Sequence, residues 1–147
     1  MLAAAERDAL AGLWFDLHSR EAKLIADKHG WTREQFIAWA KSRFWLHAVV
    51  LDGGVAGVIA LGQGRIHVAI HPWAKGRWLR DLERVLRDAL KNGGELEAWV
   101  DAHDDAARYF VVRCGAVLKR QDENVRVYRV RRELMWFSRR REHGRTG

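Results

Sequence analysis

The residues best suited to chemistry lie between positions 66 and 87, where the sequence reads IHVAIHPWAKGRWLRDLERVLR. A β-branched run passes through His71-Pro72 into a short basic loop, Lys75-Gly76-Arg77. That loop opens into a stretch with Leu79, Leu82, Val85, Leu86 and Leu90 on one helical face. A strand, a loop and a helix start in this order leave backbone N–H groups unpaired and pointing one way, which suits a phosphate or another anion. Lys75, Arg77 and Arg80 concentrate positive charge at the same place.

Other reactive side chains are more scattered. His67 and His71 share a strand face but stand roughly 13 Å apart along it, so they cannot hold one metal ion. Either alone is a candidate base beside an amine, or a packed or surface histidine. Asp101, His103, Asp104 and Asp105 resemble a ligand set in composition. Acids at a helix start are read first as caps that complement the dipole, so no metal site is assigned. Cys114 reads as a structural thiol, because the sequence places no histidine beside it. No P-loop, zinc knuckle or Ser-His-Asp order is present.

The elements that must position these groups follow from periodicity. Leu10, Leu13, Trp14, Leu17, Leu24 and Ile25 predict one helix over 3–28, stopped by His29-Gly30. Thr32, with Gln35 completing a capping box, starts a second. Strands follow at 47–51 and 55–61, joined by Asp52-Gly53-Gly54, a strong hairpin signal. Gly62-Gln63-Gly64 turns the chain into a strand over 65–70. A helix over 75–91 ends at Asn92-Gly93-Gly94, and a strand over 95–100 follows. Asp101 or Asp104 caps a helix reaching Cys114, and strands at 116–120 and 125–130 close a last hairpin. This order implies one α+β domain over 1–130, a mixed, mostly antiparallel central sheet flanked by helices, with a basic extension over 131–147.

Composition bounds the rest. A chain of 147 residues with 48% apolar content can bury a single core. No apolar run approaches the roughly 20 residues of a membrane helix, so no membrane insertion is expected. The start MLAAAERDAL is broken by charge and does not read as a signal peptide. A single cysteine excludes an internal disulfide and suits a reducing cytoplasm. Net charge is +7, and residues 126–147 carry eight arginines against two glutamates. That excess is either a solvated tail or a contact with nucleic acid or an acidic protein surface. Eight tryptophans are many for this length, enough for both core and interface anchors.

Two motifs resemble those of the GNAT acyltransferase superfamily, and the element order is similar to its fold over roughly residues 3–130. Ile70-His71-Pro72 matches a hydrophobic-His-Pro run that precedes Arg/Gln-x-x-Gly-x-Gly/Ala. Lys75 falls on the Arg/Gln position, Trp78 on the first glycine and Arg80 on the second. The resemblance implies that the amides around Gly76, Arg77, Trp78 and Leu79 close on a coenzyme A pyrophosphate. Strand carbonyls near Val68 and Ile70 would fix the pantetheine. An indole at Trp78 is expected to obstruct that approach. The second motif, Asp104 to Ala116, resembles Asn-x-x-Ala-x-x-x-Tyr-x-x-x-Gly-Phe. Ala107 and Gly115 match, Asp104 replaces Asn, and Val111 replaces the tyrosine that often protonates the departing thiolate. Tyr109 lies two positions earlier, about 200° around a helix.

Trp99-Val100 and Gly115-Ala116 also resemble short GNAT-like proteins of short-tailed bacteriophages, which are associated with virion assembly. That resemblance implies a catalytically degenerate protein, cytoplasmic in the host or incorporated in the virion, with no cofactor expected. Its partners would be phage structural proteins. Leu134, Met135, Trp136 and Phe137 would then be apolar anchors, with Arg139, Arg140 and Arg141 around them. The alternative is an acetyl-CoA-dependent N-acyltransferase acting on a protein or small amine, with His67, Glu97 or Tyr109 moving the proton. A third reading is nonspecific nucleic-acid contact through the C-terminal arginines.

Overall fold

Local rules set the first elements. The computed structural model describes residues 4–17 and 19–138. The chain divides into two units, residues 1–80 and 81–147. In the first, α1 is Ala4–Leu17, α2 is Ser19–His29 and α3 is Arg33–Arg43. Together α1 and α2 take up the stretch predicted as helix over 3–28, and residue 18 lies outside the described residues. Ala11, Ala22 and Ala26 are buried, as are Leu10 and Trp14. Thr32 caps α3 as predicted: its hydroxyl accepts from the Gln35 N–H at 3.2 Å, and the Gln35 side chain accepts from the Thr32 N–H at 2.8 Å.

Strands β1 (Trp45–Leu51), β2 (Gly54–Gly62) and β3 (Arg65–Ile70) form an antiparallel meander. Asp52 and Gly53 both take positive φ, 54° and 79°, the conformation of a two-residue hairpin whose twist matches the strands. The core of this unit centres on Trp14. Its ring lies 5.0 Å from Phe36 and 5.2 Å from Phe44, both nearly edge-on, the preferred aromatic geometry. After β3 the chain makes a 3₁₀ turn, Pro72–Ala74, that buries Ala74 completely.

The second unit contains α4 (Leu79–Ala89) from residue 81 onward, β4 (Leu96–Asp101), α5 (Asp105–Cys114), β5 (Val117–Gln121) and β6 (Val125–Val130). Strand β6 lies between β4 and β5, antiparallel to both. Asp104, not Asp101, caps α5, accepting from the Ala107 N–H at 3.0 Å. Gly115 ends α5 at φ 111°, and a Cβ there would overlap the Leu134 carbonyl, so glycine is required twice over. Leu82, Val85, Leu86, Ala98, Val100, Val127, Tyr128, Val130, Met135 and Phe137 are all buried. The class is α+β, mostly antiparallel sheet flanked by helices, as the sequence predicts. Among the described residues no helix is long and apolar enough to cross a membrane.

Candidate functional site

The basic loop is more elaborate than a strand running straight into a helix. The helix predicted from 75 begins only at Leu79. Lys75 sits at φ 53°, ψ −112°, a conformation that rules out helix at that residue. Short backbone bonds stitch the loop together. The N–H of Lys75 donates to the Pro72 carbonyl at 3.2 Å, that of Arg77 to Ala74 at 3.1 Å, and that of Leu79 to Gly76 at 3.3 Å. The Gly76 N–H has no partner among the described residues and is exposed. Lys75 and Arg80 are exposed as well, and neither forms an ion pair among the described residues.

Two side chains on this loop have polar partners in the first unit. Trp78 is half-buried, and its indole N–H donates to the Lys75 carbonyl at 3.2 Å. The 75–76 peptide is trans, so its N–H and C=O point in opposite directions. An indole bonded to the Lys75 oxygen therefore stands away from the Gly76 N–H. The indole N–H is thus engaged on the carbonyl side of that peptide. Arg77 is not an open phosphate ligand. Its guanidinium makes two parallel bonds to the Asp52 carboxylate, both 2.7 Å. The pairing lowers the Asp52 pKa and raises that of Arg77, mainly through these hydrogen bonds. Sequence reasoning missed Asp52, which read only as a turn former and lies 25 positions away.

The catalytic candidates occupy separate settings. His67 is 3% exposed, in the aromatic core of the first unit, with its ring 4.8 Å from Trp14 and 5.6 Å from Phe44. Val68 and Ile70 lie half-buried in β3, opposite Ile59 and Gly57. In the second unit Glu97 is committed to cations: it accepts from Arg120 at 3.0 Å, Lys119 at 2.9 Å and the Trp99 indole at 3.1 Å. The Arg120 and Lys119 hydrogen bonds pull its pKa down to about 2, too low for it to collect a proton from an amine near neutral pH. Tyr109 is 63% exposed, and its hydroxyl accepts from Arg113 at 3.1 Å.

The expected C-terminal anchors need correcting. Met135 and Phe137 are 1% and 0% exposed, and the Arg87 guanidinium covers the Phe137 ring at 4.5 Å. Leu134 and Trp136 are half-buried. This segment belongs to the core of its unit, because apolar side chains following β6 find α4 within reach. Arg139, Arg140 and Arg141 lie outside the described residues. The Asp101 carboxylate accepts from the His103 N–H at 2.8 Å.

The α+β architecture is GNAT-like in fold. One solved structure with the same fold is the PaiA N-acetyltransferase from Thermoplasma acidophilum in complex with coenzyme A. The two superpose with a TM-score of 0.56 at 12% identity, over 84% of this chain and 89% of that one. No family model matches the sequence, and no curated protein is similar to it in sequence.

Proposed function

We propose that the chain binds an acyl-coenzyme A at the Lys75–Arg80 loop and transfers the acyl group to an amine. The observation that supports this best is the exposed cationic loop with an unpaired Gly76 N–H, in a fold whose solved neighbour holds coenzyme A. Lys75 and Arg80 meet the pyrophosphate charge, and the Gly76 N–H donates to one of its oxygens. The backbone of Val68 and Ile70 aligns the pantetheine. The amine nitrogen attacks the thioester carbonyl, the C–S bond breaks, and coenzyme A leaves as the thiolate that takes up the amine proton through solvent.

Neither His67, sealed by aromatic rings, nor Glu97, held by Arg120 and Lys119, serves as the base in this reading. Catalysis rests on positioning, which by itself supplies a large part of a bimolecular barrier. The acceptor must therefore arrive as the neutral amine. The rate of thiol release should rise with pH up to the pKa of whichever amine is supplied, and that limit should move when the amine is changed. A fixed limit common to all amines would point to a titrating group on the protein instead.

Calorimetry with acetyl-CoA tests binding. Heat should appear with the native chain and weaken at least tenfold in a Lys75→Ala, Arg80→Ala double variant. No heat at millimolar ligand sinks the proposal. One observation favours a second, non-catalytic reading as a docking part of a virion or another assembly. Tyr109, Val112, Val117 and Leu118 leave α5 and β5 with exposed apolar side chains. That role, with protein partners or with nucleic acid at the C-terminal arginines, is the one left standing if coenzyme A does not bind.

A further inference from the structure

We infer that Trp78 is a positioning residue, a brace that holds Lys75 in its positive-φ conformation and so aims the Gly76 N–H at the anion. The inference rests on the acyl-CoA reading for the identity of that anion, but its geometry stands alone. A residue with a Cβ rarely adopts φ 53° with ψ −112°, and such a conformation persists only where the surroundings enforce it. Both backbone polar atoms of Lys75 are held. Its N–H is fixed on the Pro72 carbonyl at 3.2 Å and its oxygen on the Trp78 indole at 3.2 Å. With both ends tied, the 75–76 peptide plane has one orientation.

The Asp52 clamp acts on the residue next to the indole. Arg77 is anchored to the β1–β2 hairpin by two 2.7 Å bonds, which restricts how far Trp78 can swing from the loop. Glycine at position 78 would permit a close approach of backbone to ligand but would enforce nothing. The indole does the reverse, since it adds bulk on the carbonyl side and fixes the donor on the other. A tryptophan in this place therefore preorganises the loop, and preorganised donors lose less on binding.

The test uses the full chain. Trp78→Phe keeps a ring and removes the donor, so one hydrogen bond's worth of orientation is lost. Coenzyme A binding should weaken about three- to tenfold. The residual dipolar coupling of the Gly76 N–H, measured without ligand, should change while those of β2 and β3 stay fixed. An unchanged Gly76 coupling overturns the brace, and so does tighter binding by the variant, which would make the ring an obstruction. If native protein binds no coenzyme A yet the coupling moves, the brace stands and the acyl-CoA reading falls. A variant-free measurement guards against misfolding: the Trp78 indole proton of the native chain should exchange at least several-fold more slowly than a free indole. Exchange at the free rate overturns the inference.

Discussion

Replacing Glu97 with glutamine should expose how the second unit depends on pH. In β4 this carboxylate receives Arg120, Lys119 and the Trp99 indole at 3.0, 2.9 and 3.1 Å. Those bonds, Arg120 first, lower its pKa from 4.5 to about 2. At ~1.4 kcal/mol per pH decade the ceiling on the linked stability is about 3.4 kcal/mol. The Arg120 side chain is 52% exposed, so water screens much of this, and about 1–2 kcal/mol is the expected share. The folded pKa lies below the unfolded one. The contribution is therefore complete above the unfolded value of 4.5 and fades as pH falls through about 2. Urea titrations should show Glu97→Gln unfolding roughly 0.5–1 M earlier than the native chain at pH 7, for an m-value of about 2 kcal/mol/M. The gap should narrow from pH 4.5 downward and nearly close at pH 2. A gap of the same size at pH 2 and pH 7, or none at pH 7, would refute the electrostatic account.

Three further outcomes follow from the packing and the loop. Phe137→Ala should cost about 3–5 kcal/mol in chemical denaturation, because it empties a fully buried site; an unchanged midpoint would restore Phe137 to the role of an exposed anchor. Thr32→Ala removes half of a capping box at α3 and should lower stability by about 1 kcal/mol, with Thr32→Ser nearly neutral. Asp52→Asn should cut the bidentate hold on Arg77 and weaken coenzyme A binding modestly in calorimetry. Tighter binding would mean that Arg77, once released, is itself a phosphate ligand.

The sequence by itself determined whatever depends on neighbours along the chain. Asp52-Gly53 fixed a hairpin because only certain residues tolerate consecutive positive φ values, and Thr32 with Gln35 fixed a helix start through a three-residue hydrogen-bond circuit. Strands β3 and β6 run over the predicted residues, since β-branched content and flanking turns agree there. The cationic loop was also legible, because charge is a property of residue type.

Tertiary structure decided what those residues do. Asp52 neutralises Arg77 from 25 positions away, and nothing in either local sequence marks the pair. His67 looked like a base until Trp14 and Phe44 closed over it, and Glu97 until Arg120 and Lys119 claimed its oxygens. Met135 and Phe137 read as a patch in a basic tail but complete a core. Spacing along a chain reports which groups are available, whereas burial, pairing and the aim of a donor come from segments that meet only after folding.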